Sequence, residues 1–216
     1  MTWPTDHGAE GGKYLAGPTR PEAEPLMAVE IVFETHSTTT DNEAGIATGW
    51  LPGKLSPTGR IQAGELGERR RGDGISVVFT SDLFRAVETT MLAFAGSPIP
   101  LQQDARLREC SYGDLNGSSR EALRAIQGHY VEEPFSGGQS YRDVVRGMAS
   151  FLDDLASAHD GERVLLIGHS ATRFALDHLL SGIPLEDVVA GPYIWQPGWE
   201  YTLPDGWQAG TACRSP

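Results

Sequence analysis

Short apolar runs alternate with longer amphipathic stretches along this chain. Val29-Glu30-Ile31-Val32-Phe33, Ile75-Ser76-Val77-Val78-Phe79-Thr80 and Val164-Leu165-Leu166-Ile167-Gly168 are rich in β-branched residues and bounded by polar turns. They read as buried strands. Ile99-Pro100-Leu101-Gln102 reads as a short edge strand, because Pro100 has no N–H to give to a central ladder. Trp199-Glu200-Tyr201-Thr202-Leu203 reads as a last edge strand. Ser56 followed by Pro57 predicts a helix start, as N-cap and first helical residue, with the helix running to about Arg71. Ser81-Asp82 predicts the cap of a helix that carries Leu83, Ala86, Val87 and Met91 on one face. Segments 118–130, 139–158 and about 171–181 predict further helices. The stretches 35–55 and 104–118 read as loops. Strands alternating with helices imply a mainly parallel sheet covered on both faces, a three-layer α/β/α domain.

Composition narrows the picture. The chain has 216 residues, 39% hydrophobic and 21% charged, which fits one ordinary globular domain able to bury a core. Residues 1–27 differ, with Gly8, Gly11, Gly12, Pro18, Pro21 and Pro25 and little apolar periodicity. They read as a flexible extension, with the folded domain expected over 28–216. The net charge of -12 argues against nucleic acid as a partner. It leaves room for a small anionic substrate in a locally cationic pocket. A homodimer stays open. Cys110 and Cys213 form no zinc spacing and no disulfide framework, which favours a reducing, cytoplasmic setting. No apolar stretch is long enough to span a membrane, and residues 1–27 lack a signal-peptide pattern.

Chemistry gathers where the strands end. His36 follows the first run in Glu-Thr-His-Ser-Thr-Thr-Thr-Asp-Asn-Glu, and His169 follows the third in Gly-His-Ser-Ala-Thr-Arg. In open α/β sheets, ligands sit beyond the carboxyl ends of the strands. Two such histidines, distant in sequence, can therefore share one site. Arg85 in Ser-Asp-Leu-Phe-Arg-Ala-Val-Glu-Thr follows the second strand. Glu109 in Leu-Arg-Glu-Cys-Ser-Tyr-Gly-Asp-Leu-Asn-Gly follows the edge strand.

Taken together and in this order, these segments resemble the histidine phosphatase superfamily with its phosphoglycerate mutase-like fold. Asn42 and Leu-Ser-Pro-Thr-Gly-Arg-Ile-Gln-Ala match as well, and the likeness runs from about 29 to 203. The resemblance implies metal-independent hydrolysis of a small phosphomonoester, with no cofactor. His36 would be the nucleophile and Glu109 the general acid. Arg85 and a protonated His169 would hold the phosphoryl oxygens. Thr35, Ser37, Asn42 and Ser170 would bind substrate through neutral groups. The chain also departs from the family pattern. Arg-His-Gly has become Thr35-His36-Ser37, so a guanidinium is replaced by a hydroxyl. Losing one partner of a buried charge pair costs about 2–5 kcal/mol. Arg108 or Arg173 are the candidates to restore the charge.

Other readings compete. The missing Arg leaves open a repurposed or catalytically silent relative that acts on or binds a less charged or non-phosphate ligand. Gly168-His169-Ser170-Ala171-Thr172 resembles the elbow of serine hydrolases, but Thr172 stands at the final Gly, and only His178 lies downstream. His36, Asp41, Glu43 and His169 have metal-ligand chemistry without a spacing that fixes a geometry. A mutase is less expected, because no added lid appears beyond the region 104–142. Trp195, Trp199 and Tyr201 read as edge-strand packing. His129, His159 and His178 read as structural.

Overall fold

A computed structural model describes residues 27–209. The expected extension over 1–27 therefore lies almost wholly outside the described residues, as does Cys213. The elements run β1 (Val29–Thr35), α1 (Thr40–Glu43), β2 (Ile46–Ala47), α2 (Pro57–Arg70), β3 (Val77–Thr80), α3 (Phe84–Ala93) and β4 (Leu101–Gln103). Then follow β5 (Ser118–Ser119), α4 (Arg120–Ile126), α5 (Tyr141–Ala158), β6 (Arg163–Gly168), α6 (Ser170–Ser181), α7 (Leu185–Ala190) and β7 (Trp199–Leu203).

The main sheet has the order β4-β3-β6-β1-β7. All neighbours are parallel except β7, which runs antiparallel to β1. β4 and β7 are thus the edges, as Pro100 and the late position of Trp199 anticipated. The period-two rule sorts the two faces. Val32, Val78, Leu165 and Ile167 pack on Leu66 of α2 and Ala93 of α3. Ile31, Phe33, Val77, Phe79, Val164 and Leu166 pack on α5 and α6 through residues such as Met148, Leu152 and Phe174. Both faces are covered, which is the α/β/α architecture. It also explains why these strands are apolar throughout rather than alternating.

Local chemistry sets the helix starts. The Ser56 hydroxyl accepts from the Gly59 N–H at 3.1 Å, with Pro57 at the first helical position. A Cβ at residue 59 would lie 1.9 Å from the Thr38 carbonyl oxygen, so only glycine lets α2 approach the loop after β1. That loop is more ordered than its polar, Gly-rich sequence predicts. Thr39 caps the one-turn helix α1 in a reciprocal box with Asn42, at 3.0 and 3.1 Å. β2 then pairs with β5 in a small separate hairpin-like sheet. The predicted 118–130 helix is split into β5, α4 and a 3-10 turn over Gln127–Tyr130. The predicted cap of α3 is also corrected. Leu83 is the N-cap and has no side-chain group that could cap, while Ser81 bonds His169 and Asp82 holds Arg108.

Candidate active site

Parallel register brings three strand ends to one edge of the sheet. Thr35 of β1 pairs with Gly168 of β6, and Thr80 of β3 pairs with Ile167. The next residues are laced together across the sheet. The His36 N–H donates to the Gly168 carbonyl at 3.0 Å, and the Ser81 N–H donates to the Ile167 carbonyl at 3.4 Å. His36, Ser81 and His169 therefore meet where the strands stop, and the two imidazole centroids are 5.0 Å apart.

Arg85 lies between the two rings. It is fully inside the protein, at 2% exposure, which for a guanidinium demands partners. Its Nε donates to His36 Nε2 at 3.2 Å, and its Nη2 donates to His169 Nδ1 at 3.2 Å and to the Gly49 carbonyl at 2.9 Å. Nη1 is buried with no protein partner among the described residues. Because arginine only donates, both contacted ring nitrogens are acceptors. His36 must then carry its proton on Nδ1, which donates to the Ser37 carbonyl at 2.8 Å. His169 must carry its proton on Nε2, 2.7 Å from the Ser81 hydroxyl.

Electrostatics follow from burial beside that cation. Desolvation, and then the Arg85 charge, bring the His36 pKa down to about 3, so the ring is neutral. The same two causes push His169 well below the usual histidine value. Burial beside Arg85 therefore favours a neutral His169 over the second cation that the family likeness implies. Glu109 is buried at the start of α6. Its Oε1 accepts from the Cys110 N–H at 2.9 Å and the Ala171 N–H at 3.1 Å. Desolvation raises its pKa and outweighs Arg85 and the backbone donors.

His36, Arg85 and Glu109 line one cavity of about 550 Å³ together with Thr35, Ser37, Asn42 and Ser170, and His169 stands behind them, bonded to Arg85. The structure thus collects all eight residues singled out from the sequence. The Ser37 N–H donates to the Thr89 hydroxyl at 3.0 Å. The Asn42 carbonyl oxygen is taken by the capping box, which leaves its amide nitrogen as the donor group. Arg108 and Arg173 do not restore the lost charge. Arg108 is held by Asp82 and stacks on Trp50, 4.6 Å from the ring centroid. Arg173 pairs with Asp177 at 3.6 Å and sits among Phe174, Tyr193 and Trp199. Neither lines the cavity. Arg69, Arg120 and Arg124 do, and no spacing in the sequence marks them. Tyr193 also lines it and hydrogen-bonds the Thr35 side chain. Trp195, expected as edge packing, is instead 59% exposed at the cavity wall. Trp199 does pack, on Phe33 at 5.8 Å between centroids, and Tyr201 is buried with its hydroxyl donating to Asp177 at 2.7 Å.

The competing sites come apart. Among the described residues, no three His, Cys, Asp or Glu side chains are gathered as metal ligands. Asp41 is instead bonded by the Thr48 hydroxyl at 2.9 Å. His178 lies on the same helix as Ser170 and turns to the Ile183 carbonyl at 2.9 Å, so it cannot serve that serine as a base.

A family model described as histidine phosphatase superfamily (branch 1) matches residues 31–192. A putative phosphoserine phosphatase 2 of Hydrogenobacter thermophilus is 30% identical over 161 residues, covering 71% of this chain and 79% of that one. A 2,3-bisphosphoglycerate-dependent phosphoglycerate mutase of Methylobacterium is 31% identical over 180 residues, covering 76% and 86%. Among solved structures, Bacillus stearothermophilus YhfR superposes with a TM-score of 0.71 at 26% identity, covering 80% of this chain and 90% of that one.

Proposed function

The chain belongs to the histidine phosphatase superfamily, and from that premise we propose that it hydrolyses a small phosphomonoester, without a metal ion, through a phosphohistidine on His36. The observation that carries this reading is the tautomer of His36. Its Nδ1–H is spent on the Ser37 carbonyl, so the lone pair on Nε2 faces Arg85 in the cavity. A neutral, oriented imidazole is the form that can attack phosphorus.

The steps balance as follows. His36 Nε2 forms a bond to phosphorus as the P–O bond to the leaving group breaks. Glu109, whose pKa is raised by burial, gives its proton to the departing oxygen in its acid form. Water then attacks the phosphohistidine, and the Glu109 carboxylate takes the water's proton. Inorganic phosphate leaves with His36 neutral again. Arg85 supplies fixed positive charge to the transferring oxygens, and its unpartnered Nη1 is available for them. His169, bonded to both Ser81 and Arg85, holds that guanidinium in place. Such a cationic and polar cage does the work that a divalent ion does elsewhere. A buried free thiol at Cys110 accords with a reducing, cytoplasmic setting.

One observation favours the second reading, a repurposed or silent site. Thr35 stands where the family has Arg and offers the cavity only a neutral side chain. Phosphate release from p-nitrophenyl phosphate and a panel of metabolite phosphomonoesters, with EDTA present, separates the two. Turnover that disappears in His36→Ala supports the phosphatase. A site that turns over none of them belongs to the second reading.

A further inference from the structure

We propose that Arg69 of α2 provides the phosphate-binding cation that Thr35 no longer can. The inference rests on the phosphatase reading of the cavity and deepens it. Glu34, next to Thr35 on β1, is 2% exposed and lines the cavity. A buried carboxylate needs a cation, and Arg70 satisfies it with Nε at 2.9 Å. Arg69 is a second guanidinium on the same carboxylate. Its Nη2 stands 3.4 Å from each Glu34 oxygen, at the outer limit of a hydrogen bond. No other residue engages it among the described residues. Arg69 is about one-third exposed and lines the same cavity as Thr35 and His36. So Glu34 takes its close contact from Arg70, a guanidinium shared with Asp73, while Arg69 is parked on it with most of its fork free.

An incoming dianion outcompetes that weak contact. The fork leaves Glu34 for the phosphoryl oxygens, from the side where Thr35 offers only a hydroxyl. Arg85 then works from one side of His36 and Arg69 from the other. The charge lost from the strand end has thus been moved to the neighbouring helix. Arg120 and Arg124 are tied to backbone carbonyls of Asn42 and Gly191, at 2.9 and 3.3 Å. They line the cavity without sharing a carboxylate that a phosphate could replace.

The test is inorganic phosphate binding by titration calorimetry, alongside p-nitrophenyl phosphate turnover, on the full chain. Wild type is compared with R69Q, R69K, T35R, T35R/R69Q, E34Q and E34Q/R69Q. R69Q should weaken phosphate about tenfold or more, and R69K should recover only part, because a point charge lacks the fork. T35R should restore binding in the R69Q background and add much less in wild type, since the two cations seek the same oxygens. E34Q should tighten binding by releasing Arg69, and E34Q/R69Q should lose that gain. Thermal melts of each variant separate loss of fold from loss of binding. Unchanged phosphate affinity in a folded R69Q, or an equal gain from T35R in both backgrounds, overturns the proposal. If wild type binds phosphate but turns over no ester, the phosphatase reading fails while Arg69 is still judged by binding. If wild type binds no phosphate, both fall.

Discussion

His36 and His169 occupy matching places, each one residue beyond a register pair of adjacent parallel strands, yet they are built for different work. His36 has its Nδ1–H fixed by the adjacent Ser37 carbonyl, and its other nitrogen meets only the side-chain Nε of Arg85. His169 has both nitrogens committed, to Ser81 and Arg85, and is 1% exposed at the head of α6. Burial makes both neutral. Both rings also accept from Arg85 at 3.2 Å, so what separates them is place: His36 lines the cavity and His169 does not. A nucleophile has to reach substrate, whereas a supporting group can sit behind the cavity wall.

The sharpest way to break this comparison is to remove each ring. His36→Ala should lower turnover at least about 10⁴-fold, as loss of a covalent nucleophile does. His169→Ala should cost about 10²–10³-fold, on the scale of one lost electrostatic contact in a transition state. Equal losses, measured as kcat/KM on one ester, contradict the division of roles. Glu109→Gln should cost about 10²-fold on an alkyl phosphate, and much less on p-nitrophenyl phosphate, whose leaving group needs no proton. With wild type, the alkyl phosphate rate should fall as pH rises through the raised pKa of Glu109, when the acid loses its proton.

Stability should carry the same signature. Both histidines have folded pKa values below the unfolded value of about 6.5, so the unfolded chain binds the extra protons. Their contribution is present above that value and is lost as pH falls, for His36 down to about 3. Glu109 works in the opposite sense, stabilising at acid pH and losing its contribution as pH rises from its ordinary range to its raised folded value. Urea melts of Glu109→Gln, which lacks that opposing titration, should therefore show a steady fall between neutral pH and pH 5, reduced when His169→Gln is added. A flat profile contradicts the neutral, buried pair. The smallest effect expected is that of Ser81→Ala. It should destabilise the fold by about 1–3 kcal/mol by leaving His169 Nε2 unpaired, with only a few-fold loss of rate.

Much of this was legible in the sequence. β-branched runs, Ser56-Pro57 and the alternation of elements foretold the sheet and its two helical layers. Four segments pointed to His36, Arg85, Glu109 and His169, and the fold brings these residues together. Ser81 was misread because a serine before a helix looks the same whether it caps that helix or holds an imidazole from another strand. Arg69, Tyr193 and Trp195 left no linear signal. Their part in the cavity comes from α2 packing on the sheet face and from the turn before β7, which are tertiary facts. Arg108 and Arg173 had the right charge, but each found a nearer carboxylate and an aromatic face. The loop after β1 looked irregular because a four-residue helix has no periodicity to read, only its Thr39–Asn42 cap.

The most direct test of the account is to quench the enzyme in alkali during turnover of a phosphomonoester and map the phosphoryl group by mass spectrometry. The account predicts an alkali-stable, acid-labile phosphoryl group on His36 and none on His169. A label on another residue, or steady turnover with His36 replaced, would contradict it.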